Sequence, residues 1–205
     1  MLTVFSLEPR KVVGYAIVAL LLGILGIQYL MALPASAQDD RLSACRALSP
    51  TPFNSALGKL PAPAPNFNAD DYTGKPASLA AYRGKVVLLN FWQTACPPCK
   101  EEMPSMEALD RQVDSEDFAI LALASDTTWE PVREFFPRGT QGMTVLLDPA
   151  PEGENLGKIA RSYGTERWPD SYLIDKLGRV RYYYVNRRDW DSANAVACVR
   201  TLLEE

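Results

Sequence analysis

No histidine occurs in this chain of 205 residues, and cysteine appears only four times. A Cys-X-X-Cys pair becomes half of a zinc site only when a second pair or histidines complete the ligand set. The single such pair here, Cys96-Pro97-Pro98-Cys99, therefore lacks partners for zinc. Basic charge is scarce too: 21 Lys and Arg face 25 Asp and Glu, a net of −4. Without residues 1–37 the balance is 19 basic against 24 acidic, a net of −5, which argues against nucleic acid as a partner. No internal repeat is evident. With 47% hydrophobic residues, the length suffices for one good core rather than two.

What is present divides the chain at the outset. Arg10 and Lys11 precede an apolar stretch from Val12 to Leu33, and Ala35-Ser36-Ala37 then leads into Gln38-Asp39-Asp40. Basic residues, an apolar run and a small-X-small site form a signal peptide, so residues 1–37 read as an export signal or, if uncleaved, an N-terminal membrane anchor. Positive charge before the run and acid after it orient the remainder outward. The folded part is thus expected outside the cytoplasm, where disulfides form and persist. Leu42-Ser43-Ala44-Cys45 resembles a lipoprotein processing box, but Asp39, Asp40 and Arg41 separate it from the apolar run. Residues 38–62, with Pro50, Pro52 and Pro61 among Ala, Ser and Asn, read as a linker or a lightly ordered wrap over a domain at 63–205.

Within that domain strands and helices alternate. Val86 to Phe91 and Phe118 to Ala124 are short, continuous apolar runs that predict buried strands. Lys100 to Val113 carries Met103, Met106, Leu109 and Val113 at helical spacing. Further helices are predicted over Trp129–Phe136, Asn155–Tyr163 and from about Asp189 to Leu203, with a strand at Met143–Leu147. Ser171–Ile174 and Val180–Val185 flank Asp175-Lys176-Leu177-Gly178, a hairpin signature. This order describes an α/β fold with parallel strands inside the sheet and an antiparallel edge.

Cys96 falls where the first strand gives way to the first helix. The unpaired N–H groups and positive dipole end there favour a thiolate, so Cys96 is the expected attacking sulfur. Pro97 and Pro98 suit a first helical turn, where a missing N–H costs little. Cys99, one turn in, is the expected resolving thiol. A purely structural disulfide across two residues would close too small a loop to stabilise much.

The pattern resembles the thioredoxin fold, and within it the membrane-anchored TlpA/ResA-type thiol-disulfide oxidoreductases, relatives of the AhpC/TSA redoxins. The likeness rests on Val86-Val87-Leu88-Leu89-Asn90-Phe91-Trp92 running into Cys96-Pro97-Pro98-Cys99-Lys100, on Pro104 five residues after Cys99, and on Arg167-Trp168-Pro169-Asp170-Ser171-Tyr172-Leu173-Ile174-Asp175 before Gly178 and Val180. The resemblance implies a central mixed sheet flanked by helices, with an extra helix inserted after the second core strand. It implies that Trp168-Pro169 is a cis bond facing the disulfide, and that Trp92, Pro97, Pro98, Trp168 and Pro169 form the substrate-binding surface. It further implies disulfide-bearing envelope proteins as substrates, apocytochrome thiols among them, a membrane electron donor, and no cofactor or metal.

Two departures matter. Asn90 stands where thioredoxin has a buried aspartate, and the resemblance moves the expected proton acceptor to Asp126, just after the second strand. Asp126 also sits where helix-capping acids collect. Ala95 replaces the aromatic residue usual before the first cysteine. Cys198 lies among Val196, Val199, Leu202 and Leu203, which reads either as a buried free thiol or, in an oxidising compartment, as the partner of Cys45. Two other functions compete. A thiol peroxidase would carry threonine or serine three residues before its cysteine, where this chain has Gln93. A copper(I) carrier would use the paired soft thiolates, although carriers in this fold usually add a histidine.

Overall fold

A computed structural model of the chain describes residues 15, 17–29 and 42–205. It divides into two compact units, Met1–Arg41 and Leu42–Glu205. In the first, residues 17–29 are helical and exposed. The targeting segment read over residues 1–37 otherwise lies outside the described residues. Among the described residues, no helix is long and apolar enough to cross a membrane.

The second unit is built on a six-stranded mixed sheet in the order β1-β8-β7-β4-β5-β6. The strands are β1 (Ala62–Pro63), β4 (Val86–Trp92), β5 (Phe118–Ala124), β6 (Met143–Leu147), β7 (Asp170–Ile174) and β8 (Arg179–Val185). A separate hairpin pairs β2 (Asn68–Asp70) with β3 (Pro76–Ser78). Strands β4, β5 and β6 run parallel, whereas β7 is antiparallel to β4 and β8 to β7.

The helices are α1 (Ser43–Ala47), α2 (Pro97–Val113), α3 (Trp129–Phe135), α4 (Lys158–Ser162) and α5 (Ala193–Leu203). Helix α3 is the extra element after the second core strand. Along β4 the pleat sends alternate residues to opposite faces. Val86, Leu88 and Trp92 join Met103, Met106 and Leu109 of α2 and Val196, Val199 and Leu202 of α5. Val87, Leu89 and Phe91 join Phe67, Ala160, Tyr163 and Tyr172. Met106 and Leu109 are fully buried, and each contributes on the order of 2 kcal/mol by leaving water.

Two helices are shorter than their apolar patterns. Helix α4 starts at Lys158 rather than Asn155, because the Asp148 carboxylate accepts the N–H groups of Ile159 (3.0 Å) and Ala160 (2.8 Å) and so fixes the first turn there. Helix α5 starts at Ala193, where the Ser192 hydroxyl accepts the Ala195 N–H. Ser192 caps the helix, and the chain before it is held in a loop, where the Trp190 N–H donates to the Ser105 hydroxyl and Arg188 Nε to the Leu48 carbonyl.

The second unit begins at Leu42 and so takes in most of the segment read as a linker or wrap. Residues 42–62 are a strap on the sheet: Cys45 is bonded to Cys198 of α5, the Thr51 N–H donates to the Tyr183 carbonyl, and buried Asn54 donates to the Tyr163 carbonyl at 2.9 Å. A proline-rich segment has few backbone donors to satisfy and loses little entropy on docking, so composition alone does not separate a linker from such a strap.

Candidate active site

Strand β4 delivers the chain to the end of the sheet and α2 takes it away. Cys96 between them is the N-cap of α2, with extended backbone (φ −95°, ψ 106°), and its Sγ accepts the Cys99 N–H at 3.3 Å. Cys96 and Cys99 are joined in a disulfide. Cys96 is 8% exposed and Cys99 is fully buried, while Pro97 and Pro98 are exposed on the first turn. A near-surface cysteine at a helix N-terminus beside a fully buried one is the asymmetry that stepwise exchange requires.

The loop before Cys96 is anchored from β5. Asp126, 5% exposed, accepts the Thr94 N–H at 3.1 Å and the Thr94 hydroxyl. The cap position of α3 belongs to Thr128, so the capping alternative for Asp126 is not realised. Its carboxylate instead ties the end of β5 to the residue two before Cys96.

Trp92 is fully buried, its ring 5.4 Å from that of Phe135 and 5.7 Å from that of Phe136. This corrects its assignment to the substrate surface: the pleat that carries Leu88 into the core carries Trp92 there as well, so it supports the loop from beneath. Trp168 is half-buried, Pro169 is buried, and the bond between them is cis. Phe91 pairs with Asp170. Carrying that register one residue further sets Pro169 opposite Trp92, at the same sheet end as the disulfide. Beside Trp168 lies a groove of about 530 Å³ that Arg161, Arg167 and Leu156 help to line.

One functional group escaped the sequence reading. Glu102 sits one turn after Cys99 and is 1% exposed. Its Oε1 accepts the Asn90 side-chain N–H at 2.8 Å, and its Oε2 accepts the Arg188 backbone N–H at 3.1 Å. Asn90 also donates to the Ser171 hydroxyl at 2.9 Å, which links β4, β7 and α2 through one amide. Burial pushes the Glu102 carboxyl up to about 7, against the lowering effect of those hydrogen bonds. The signal for it is positional: residue 102 shares the helix face of Cys99, Met103, Met106 and Leu109, a face on which a solvated acid has no place.

A second buried acid lies on the other face of the sheet. Asp170 is fully buried, accepts the Tyr183 hydroxyl at 2.8 Å, and is pushed up to about 7 by desolvation. Its strand-mates Tyr172 and Ile174 belong to the face opposite α2, so it does not share the Glu102 pocket. Among the described residues, no group of three or more Cys, Asp or Glu side chains is gathered as a metal site would need.

Comparison with known proteins agrees with this geometry. Residues 61–183 match the AhpC/TSA family. The chain is 38% identical over 117 residues to the thiol-disulfide oxidoreductase ResA of Bacillus thuringiensis subsp. konkukian, a match covering 57% of this chain and 64% of that protein. It is 31% identical over 125 residues to ResA of Halalkalibacterium halodurans, covering 61% and 68% respectively. A crystal structure from Chlorobium tepidum, described as a thiol:disulfide interchange protein DsbE, superposes with a TM-score of 0.59 at 29% identity, covering 68% of this chain and 95% of that one. With its mixed sheet, its Cys-X-X-Cys at the first helix and its Trp168-Pro169 loop, this chain belongs to the AhpC/TSA family and carries a thioredoxin fold.

Proposed function

We propose that this protein is an extracytoplasmic thiol-disulfide oxidoreductase that reduces disulfides in other proteins by dithiol exchange at Cys96 and Cys99. The observation that carries this is the pairing of a near-surface Cys96 at the α2 N-terminus with a buried Cys99 one turn from a buried carboxylate. In the reduced protein the Cys96 thiolate attacks a client disulfide, and one client sulfur leaves as a thiolate. Cys99 loses its proton and attacks Cys96, which releases the second client sulfur. Client sulfurs gain two electrons and Cys96–Cys99 becomes the disulfide.

Glu102 supplies the proton acceptor for Cys99. A carboxyl near neutrality is matched to that task, whereas a surface glutamate would be a weak base. Asp126, the expected acceptor, holds Thr94 and thereby places the loop. A client segment lies against Trp168 and Pro169, with the adjoining groove taking its flanking residues. The export or anchor segment at residues 1–37, envelope proteins as clients and a membrane donor of electrons belong to the same reading.

The test is insulin reduction by the full-length chain supplied with a chemical reductant. Wild type accelerates precipitation of the reduced chains, and Cys96→Ser does not. Equal rates for the two would remove the assignment. Peroxide consumption by the same protein is expected to stay slow, since Gln93 replaces the hydroxyl residue a thiol peroxidase carries.

A further inference from the structure

Glu102 lies within the residues that match the family, but one of the groups that hold it does not. Arg188 is beyond the matched residues 61–183, as are Cys45, Leu48, Ser49 and Cys198. The backbone N–H of Arg188 donates to Glu102 Oε2 at 3.1 Å. Its guanidinium turns the other way: Nε donates to the Leu48 carbonyl at 2.9 Å and Nη2 to the Ser49 carbonyl at 3.2 Å, both on the strap. Nη1 gathers the carbonyls of Val185, Asn186 and Arg187 at 2.9, 3.1 and 2.9 Å, which closes the loop on itself. The Tyr184 hydroxyl donates to the Cys45 carbonyl at 3.3 Å, and Cys45 is bonded to Cys198.

We propose that the N-terminal strap is a working part of the exchange centre: Arg188 locks strap residues Leu48 and Ser49 to the loop whose backbone N–H holds Glu102, so that strap docking stabilises the ionised carboxylate behind Cys99. Arg188 is thus a positioning residue and Cys45–Cys198 its tether. A rigid planar fork suits the role, because five donors fixed on one frame meet carbonyls of two segments at once. Helix α2 contributes Cys99 and apolar side chains, β4 contributes Asn90, and β7 contributes Ser171 through Asn90. The loop before α5 contributes Arg188, the charged side chain acting on Glu102, and Trp190, whose indole N–H faces the carboxylate without closing a hydrogen bond of ordinary geometry. Both the Arg188 N–H and its charge favour the carboxylate, so losing the lock shifts Glu102 further toward its neutral form.

The inference rests on Glu102 acting as the proton acceptor, and the experiment separates the two claims. In single turnover with a model disulfide, the rate at which Cys99 resolves the mixed disulfide on Cys96 is followed in the full-length chain from about pH 5 to about pH 9, and the profile is read for its inflection near neutrality. Glu102→Gln loses that inflection; if it is retained, the Glu102 role falls and the present inference with it. Arg188→Gln moves the inflection upward by about one pH unit. Glu102→Gln losing the inflection while a folded Arg188→Gln leaves it in place overturns the strap's role alone. Arg188→Lys keeps the charge without the fork: a profile like that of Arg188→Gln supports the lock, and full return to wild type assigns the effect to charge and overturns it. Should Arg188→Gln not fold, as judged by its thermal transition, the Cys45→Ser/Cys198→Ser variant decides. An upward shift of about half a unit supports the inference, and an unmoved inflection overturns it.

Discussion

The two disulfides of this molecule share an element type and little else. Cys96–Cys99 spans three residues at the start of α2, while Cys45–Cys198 spans 153 and joins α1 to α5. Cys96 keeps an exposed edge, and Cys45 and Cys198 have none. A short bridge with one near-surface cysteine at a helix N-terminus restrains the unfolded chain little and offers a sulfur to attack. A long, buried one restrains it strongly and offers none. The proposed reduction of other disulfides would have to spare the protein's own staple, and burial provides that discrimination without any difference in chemistry.

The largest break in this comparison is Cys96→Ser, for which insulin reduction by the full-length chain falls about 100-fold or more, to the level of free reductant. Cys99→Ser, by contrast, leaves the first attack intact and accumulates a mixed disulfide with the client, visible as a mass addition that dithiothreitol removes. Glu102→Gln lowers the rate of exchange about tenfold at neutral pH, because the amide accepts no proton from Cys99. The matching change at the staple, Cys45→Ala/Cys198→Ala, costs on the order of 3 kcal/mol in denaturant unfolding. It leaves insulin reduction within a few-fold of wild type. A stability loss accompanied by complete loss of activity would erase the distinction between the two bridges.

A smaller effect concerns pH. The Glu102 carboxyl is raised to about 7 in the folded protein, above its value of about 4.3 in an unfolded chain. The folded state therefore binds the extra proton. The corresponding stability is fully present below about pH 4 and is lost as pH rises through about 7, by on the order of 4 kcal/mol. Asp170, raised to about 7 by the same cause, acts in the same direction and window. Denaturant midpoints measured across this range should fall with rising pH in wild type and fall less in Glu102→Gln. A flat wild-type profile would mean that neither carboxyl is desolvated as described. The smallest effect is expected at Asp126→Asn, which weakens the hold on Thr94 and lowers the exchange rate a few-fold, with no change in the pH at which the rate inflects.

The sheet was legible because its strands are short apolar runs bounded by turn residues, and the exchange centre because two cysteines flank two prolines at a strand-to-helix junction. Helix ends were less so. The start of α4 depends on Asp148 reaching across from the end of β6, a tertiary contact no local pattern announces. The strap was legible only as one of two alternatives. Its prolines and alanines fit a linker as well as a wrap over the domain, and the docked positions of Cys45, Leu48 and Asn54 decide for the wrap. Glu102 was concealed by its neighbours: in Lys100-Glu101-Glu102 it reads as one more charge on a solvated first turn. Its place on the buried face emerges once Asn90 and the Arg188 N–H are seen to complete its hydrogen bonds. Asp126 lies buried after β5, where its carboxylate accepts the N–H and the hydroxyl of Thr94.

The contrast between the two bridges is tested most directly by limited reduction of the native full-length chain, with free thiols alkylated and mapped by mass spectrometry as reductant is added. The expected result is that Cys96 and Cys99 become labelled together while Cys45 and Cys198 stay bonded until the protein unfolds. Labelling of Cys45 and Cys198 at the same reductant concentration, or before Cys96 and Cys99, would contradict it.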